Sequence, residues 1–268
     1  MAGGGSLEPE SFDHIITVSC TGMYAPGLDV DLIEQLRLPT TIQRTAVNFM
    51  GCFAAINALR VADAFCRSAA ADCRVLVVNV ELPTLHFRSD LDEEFMVSNA
   101  LFGDGASAMI VERNPRGNRV LRIRGFHSDL ALKGKGDLAW TIGNHGFEVL
   151  LSEYVPMMVK GDVKQVVESL LASMDLARED VHYFAFHPGG RAILEAIESQ
   201  VGISSEDNRF AYDILRDYGN MSSCTLVFVL QKILEALGPM DHGKHVLGCS
   251  FGPGLTLEGV LLESVMSG

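Results

Sequence analysis

The chain has no apolar run approaching the roughly 20 residues that a bilayer crossing needs. Its opening residues, MAGGGSLEPESF, are small and polar, without the basic cluster and apolar stretch of a secretory leader. Basic residues are scarce: 21 Lys and Arg stand against 34 Asp and Glu, a net charge of −13. That balance disfavours nucleic-acid binding, which needs clustered cations against phosphates, but leaves room for a local basic pocket that takes an anionic cofactor. Six cysteines (20, 52, 66, 73, 224 and 249) are scattered with no C-x-x-C pair, which argues against a zinc ribbon or a disulfide framework. These absences predict a cytoplasmic protein with reduced thiols, no membrane span and no nucleic-acid partner. Most of the cysteines read as core residues, since free cysteine is among the most buried residue types.

What is present is a chain of 268 residues, 48% apolar, enough for one large domain or two intimately packed halves. Periodicity places strands at 14–19, 42–49, 74–81, 106–112, 120–126, 183–187, 245–251 and 255–264. Helices are expected at 29–38, 52–68, 149–174, 191–201 and 222–237, with Pro156 breaking or kinking the third. The valine-rich stretch 74–81 has the pattern of a strand buried on both faces. Strands alternating with helices predict an α/β fold.

The second series of elements repeats the first. HIITVSCTG (14–22) aligns with HYFAFHPGG (182–190), and Gly51-Cys52 aligns with Gly219-Asn220, both at an offset of 168 residues. The order strand, helix, strand, Gly-X, helix is expected in both places. This predicts two similar halves, 1–116 and 117–268, related by a pseudo-twofold axis. The helix starts at Cys52 and Asn220 would then converge on one pocket with His187, which leaves the end of a strand, where α/β folds bind ligands.

Each of these residues has a plainer explanation alone. Cys52 suits helix packing, His187 suits a turn before Pro188, and Asn220 suits a cap for the helix at 222. Together they make a chemistry. A helix start favours a thiolate, and an imidazole lowers the thiol pKa by sharing its proton. Histidine and asparagine N–H groups would meet the enolate oxygen left when a malonyl thioester loses CO2, each fixed donor worth ~3 kcal/mol in a dry site. A carboxylate in place of the asparagine would repel that enolate. Gly189 and Gly190 let backbone approach a ligand closely.

The motifs GCFAA (51–55), LFGDGASA (101–108), FHPGGRAIL (186–194), YGNMSS (218–223) and SFGPGLTLEG (250–259) resemble, in order and spacing, those of type III polyketide synthases, the chalcone synthase family. The resemblance covers almost the whole chain. It implies a thiolase-like α/β fold: two similar halves, each a mixed sheet with helices, in a layered α-β-α-β-α arrangement, the first half incomplete. It implies a homodimer that condenses an acyl-CoA starter with malonyl-CoA by decarboxylative Claisen condensation and cyclises the product. Coenzyme A thioesters are then the substrates, with no permanently bound cofactor and no metal. Cys52 matches the acyl-accepting nucleophile, and His187 and Asn220 match the residues that drive decarboxylation and hold the enolate. Phe102 matches the gate between the coenzyme A tunnel and the acyl cavity, and Phe147 a second gate. Ala192 matches a backbone contact to the pantetheine arm, beside Gly189 and Gly190, while Ser222 and Phe251 match cavity-lining positions. Cys20 and Thr21 also fall at cavity positions. At Cys20 plant members usually carry threonine and some bacterial members cysteine; its plainer explanation is a second buried thiol. His86 falls where plant enzymes have a small cavity residue, which disfavours flavonoid-type products and implies a pyrone, resorcinol or related aromatic from an acyl starter.

One departure from the family is large. Members carry a long segment before the strand corresponding to HIITVS, and here only Met1 to Asp13 precede it. The first half has no counterpart to VLRIRGF (120–126) and the helix after it. GGGS at 3–6 resembles a linker. The expectation is a fragment, or a chain whose missing mid-sheet strand comes from a complementing N-terminal segment on another polypeptide. The family's basic residues for coenzyme A phosphates fall in that segment. Two alternatives stand beside the leading one. A carrier-protein-dependent initiating ketoacyl synthase shares the Cys-His-Asn set but usually has an Asn-rich loop after the histidine and a GGG-type C-terminal loop. A catalytically inactive scaffold would have lost its coenzyme A site.

Overall fold

The β-branched run HIITVS forms β1 (His14–Ser19), buried along its whole length, as a central strand covered on both faces requires. The computed structural model describes residues 8–87, 93–143, 146–152 and 155–266, so the GGGS stretch lies outside the described residues. β1 runs parallel to β2 (Gln43–Asn48) on one side and β3 (Arg74–Glu81) on the other, and β4 (Gly105–Glu112) pairs antiparallel with β3. The first sheet therefore has the order β2-β1-β3-β4. The second has the order β5-β10-β9-β8, built from β5 (Arg119–Leu130), β8 (Val181–Phe186), β9 (His245–Gly252) and β10 (Thr256–Met266). In it β8 and β9 are parallel and β10 is antiparallel to both neighbours. β6 (Leu138–Gly143) and β7 (Gly146–Leu151) form a separate two-stranded hairpin.

Seven helices complete the described residues: α1 (Leu28–Leu36), α2 (Ala54–Ser68), α3 (Glu93–Leu101), α4 (Val155–Ala172), α5 (Arg191–Val201), α6 (Arg209–Tyr218) and α7 (Ser223–Ala236). α2 buries Ala54, Ala55, Ala58 and Ala62 beside Ile56, Leu59 and Cys66, and its small side chains allow close approach from both sides. It packs on all four strands of the first sheet and on β10 of the second. α7 packs on β3 and β4 as well as on β5, β8 and β9, so α2 and α7 form a central layer between the sheets. α1 covers β1 on the outside of one sheet, and α4, packed on α5, covers β5 and β10 on the outside of the other. The result is the expected layered α-β-α-β-α arrangement. No helix among the described residues is long and apolar enough to cross a membrane.

The sequence reading needs correction in three places. The residues aligned with β2 at the offset of 168 lie within α6, not in a strand. Phe210, Ala211 and Ile214 are its buried side chains, one helical face, whereas β2 alternates half-buried and exposed positions. The repeat therefore holds for the first strand, first helix, Gly-X and last helix, but not for the middle strand. Next, β6 and β7 pair as a hairpin where a helix was expected from 149. α4 begins at Val155, so Pro156 sits in the first turn, where its missing N–H costs nothing and forces no kink. Finally, β5, the strand without a first-half counterpart, lies at a sheet edge rather than in mid-sheet. Among the described residues the outer edge of β4 is unpaired, and the first sheet is continuous without such a strand. A groove of about 1250 Å³ runs beside that edge, lined by Leu59, Cys66, Ile110, Val120 and Leu230 among others.

Candidate active site

After β2 the chain turns sharply into α2. Gly51 has φ +98°, and a Cβ there would stand 2.3 Å from Cδ of Pro253, so both the backbone and the space demand glycine. Cys52 follows, two residues before the first residue of α2. Its loop is held from both halves. The Gly51 N–H donates to Cys20 Sγ at 3.0 Å, and the Ser250 hydroxyl on β9 donates to the Cys52 carbonyl at 3.0 Å.

The motifs LFGDG and YGNMSS interlock. The Asn220 N–H donates to the Leu101 carbonyl at 2.9 Å, the Gly103 N–H donates to the Asn220 carbonyl at 3.0 Å, and Phe102 bridges Asn220 in a parallel pair. A Cβ on Gly103 would stand 2.6 Å from the Tyr218 carbonyl oxygen, which explains why the turn carries glycine. The Ser222 N–H donates to Asn220 Oδ1 at 2.8 Å, so the carboxamide presents its amino group to the other side. Asn220 thus orients its amide through the start of α7, while Ser222 takes the cap position expected of it. The side chains of Ser222 and Asn220 both act on the Cys52 thiol, each lowering its pKa.

His187 follows β8 directly. Its N–H donates to the Cys249 carbonyl at 2.8 Å, and its ring meets Phe251 edge-on at 5.3 Å between centroids. The imidazole is fully buried, and neither ring nitrogen has a protein partner among the described residues. Residues 249–251 of β9 thus touch His187 on one side, while Ser250 holds Cys52 on the other. Cys52 and His187 are thus both held at the C-terminal end of β9, and Asn220 acts on the Cys52 thiol from the start of α7.

The electrostatics depart from the sequence expectation. Burial pushes the Cys52 thiol up to about 12; the Glu81 carboxylate adds to the rise, and the Ser222 and Asn220 donors oppose it. Burial takes the His187 imidazole down to about 3. The site rests as a neutral thiol and a neutral imidazole, because desolvation here outweighs the pull of a helix start. Glu81, at the end of β3, is itself fully buried. It accepts from the Cys20 N–H at 3.0 Å, the Thr21 hydroxyl at 2.9 Å and the Ser223 hydroxyl at 2.5 Å, tying the two halves together under Cys52. Sequence reasoning passed over Glu81, although a carboxylate closing a buried valine strand is a visible signal.

The other expected residues fall in two groups. Cys20 and Thr21 are buried and bonded inward: the Cys20 sulfur to Gly51, and the Thr21 hydroxyl between Glu81 and the Leu82 N–H at 2.8 Å. Phe147 packs on Phe49 at 5.2 Å and stacks on His86 at 4.6 Å. Trp140, which sequence reasoning did not name, donates its indole N–H to the Cys20 carbonyl at 3.0 Å. On the far side, Ala192 is exposed in the first turn of α5, directly after Gly189 and Gly190.

Comparison with known proteins adds a family. The description "Chalcone and stilbene synthases, C-terminal domain" matches residues 128–266, and "Chalcone and stilbene synthases, N-terminal domain" matches residues 7–115. Among curated proteins, "Alpha-pyrone synthesis polyketide synthase-like Pks18" of Mycobacterium tuberculosis is 33% identical over 259 residues, covering 94% of this chain and 65% of its own length. "Polyketide synthase 37" of Dictyostelium discoideum is 31% identical, covering 97% of this chain and 9% of its own length. Among solved structures, 1,3,6,8-tetrahydroxynaphthalene synthase of Streptomyces coelicolor, titled a bacterial type III polyketide synthase, superposes with a TM-score of 0.91 at 27% identity. That match covers 98% of this chain and 74% of the other. The chain thus spans less than two thirds of the length of these curated relatives.

Proposed function

The chain belongs to the chalcone and stilbene synthase family, and from that premise we propose that it is a type III polyketide synthase, an acyltransferase working on coenzyme A thioesters. The observation that carries the proposal is that adjacent residues of β9 hold both the Cys52 loop, through Ser250, and the buried His187, through Cys249 and Phe251, with neither imidazole nitrogen partnered among the described residues. The Cys52 sulfur attacks the carbonyl carbon of an acyl-CoA starter. Its proton passes to His187 and on to the departing coenzyme A thiolate as the old carbon–sulfur bond breaks. Malonyl-CoA then loses CO2. The electron pair of the broken carbon–carbon bond stays as an enolate, whose oxygen takes N–H donors from His187 and from Asn220 Nδ2. The enolate carbon bonds to the Cys52 thioester carbonyl and expels the thiolate, leaving a chain two carbons longer on coenzyme A. That chain reloads on Cys52 until it cyclises.

In this proposal Phe102 and Phe147 gate the passage to the acyl cavity. Cys20, Thr21, Ser222 and Phe251 shape that cavity, and Ala192, Gly189 and Gly190 line the pantetheine arm. The product is a pyrone, resorcinol or related aromatic, a class supported by the α-pyrone role in the name of the mycobacterial relative. The protein works as a cytoplasmic homodimer. The halves divide at 116/117. A complementing strand sits on the free edge of β4, the seat that β5 takes on β10 in the second sheet.

The test is incubation of the chain with acyl-CoA and malonyl-CoA carrying a labelled carboxylate, with no carrier protein. Labelled CO2 and a cyclised product are expected. Release only when malonyl-carrier protein is supplied would make it an initiating ketoacyl synthase, and no release with either donor would make it a scaffold.

A further inference from the structure

The β6–β7 hairpin belongs to neither main sheet, yet it is fastened over the loop that carries Cys52. The fastening runs through two side chains. The Trp140 indole N–H donates to the Cys20 carbonyl at 3.0 Å. His86 uses both ring nitrogens: Nε2 lies 2.5 Å from the Thr21 carbonyl oxygen, and Nδ1 lies 3.2 Å from the Phe147 backbone nitrogen. A carbonyl only accepts and a backbone N–H only donates. The two bonds together have Nε2 donating to the Thr21 carbonyl and Nδ1 accepting from the Phe147 N–H. Its face stacks on Phe147 at 4.6 Å and 17°. Trp140 stands edge-on to both rings, at 6.1 Å from His86 and 6.2 Å from Phe147. Phe147 in turn meets Phe49 at 5.2 Å, three residues before Cys52, and the Cys20 sulfur accepts from the Gly51 N–H, one residue before it. The hairpin thus grips the nucleophile loop from two directions.

We propose that His86 and Trp140 are positioning residues that clamp the β6–β7 hairpin, and with it Phe147, against the Cys52 loop, so that the acyl chain on Cys52 grows against a fixed aromatic wall. The proposal rests on the reading of Cys52 as the acyl carrier, and it departs from the sequence expectation for His86. That expectation made His86 a bulky cavity filler, whose effect any ring of similar size would reproduce. A clamp needs the two nitrogens.

Three variants separate these roles. His86→Phe keeps the ring and the stack but loses both hydrogen bonds. His86→Gln keeps a donor for the Thr21 carbonyl. Trp140→Phe removes only the indole donor. Trp140 is the sole tryptophan in the chain, so its fluorescence reports the hairpin directly and without any substrate. In His86→Phe, acrylamide quenching of Trp140 is expected to rise at least threefold, with a red-shifted emission. His86→Gln is expected to recover most of the wild-type quenching. With acyl-CoA and malonyl-CoA, His86→Phe and Trp140→Phe are expected to raise the KM for the starter about tenfold, with a smaller change in kcat, and to broaden the distribution of chain lengths. Quenching and chain-length distribution unchanged in His86→Phe would overturn the clamp. Should His86→Phe fail to fold, a wild-type KM and product distribution in Trp140→Phe would overturn it instead. A wild-type chain that never loads acyl groups would sink the polyketide reading alone, because the fluorescence arm needs no catalysis.

Discussion

Cys52 and His187 meet neutral pH uncharged, because burial acts on the thiol and the imidazole in opposite senses. A preformed thiolate–imidazolium pair would alkylate at full rate from mildly acidic pH upward. With the thiol near 12, the iodoacetamide rate at Cys52 is expected to keep climbing through pH 10 without a plateau; a plateau near pH 6 or 7 would refute the neutral pair. The same shifts act on stability. His187 lies below its unfolded value, so the unfolded chain binds the proton first, and stability falls as pH drops from about 6.5 towards 3. Asn220 offers a sharper test. Asn220→Asp replaces an N–H donor with a carboxylate, and malonyl-CoA decarboxylation is expected to fall about 10²-fold or more, while radiolabelled starter still loads on Cys52. The three side chains were visible in the sequence because their types make sense only together. Their charge states were not, since a pKa set by desolvation depends on what packs around the group, and Glu81, Asn220 and Ser222 act on Cys52 from distant parts of the chain.

At the scale of elements, the motifs LFGDG and YGNMSS act as one interlocked unit. Gly103→Ala places a methyl against the Tyr218 carbonyl, a backbone atom with no freedom to yield. The expected cost is about 1–3 kcal/mol, read in thermal melting, together with loss of decarboxylation as Asn220 shifts. Unchanged melting and turnover would separate the two motifs. The strongly periodic elements were legible: β1, β3, α2, α5 and the β9–β10 pair all follow from their patterns. α6 was not, because the repeat at an offset of 168 suggested a strand, and only the buried face of Phe210, Ala211 and Ile214 decides for a helix. The hairpin was missed because its strands are short and their pairing is local, with Leu138 packed against the larger core cluster.

Over the whole molecule, the halves are joined by polar contacts as well as by the α2–α7 layer. Arg60 on α2 reaches Glu258 on β10 at 2.5 Å, and the Ser128 hydroxyl donates to the same carboxylate at 2.8 Å. Glu258 is almost wholly buried while Arg60 is partly exposed, so the pair is worth less than a fully enclosed one. Arg60→Ala is expected to cost about 2 kcal/mol by stranding the carboxylate, lowering Tm by about 5 °C within one cooperative transition. Two separated transitions in calorimetry would show halves that fold independently. The duplication of the chain was legible from two aligned segments. The position of β5 at a sheet edge was not, because strand order is set by tertiary pairing and leaves no mark on periodicity.

The most direct measurement of the central claim is intact-protein mass spectrometry after exposure to a panel of acyl-CoA thioesters, comparing the wild-type chain with Cys52→Ala. The account predicts a mass gain equal to the acyl group in the wild type, mapped to Cys52 and absent from the variant. A gain that persists in Cys52→Ala, or that maps to Cys20, would contradict it.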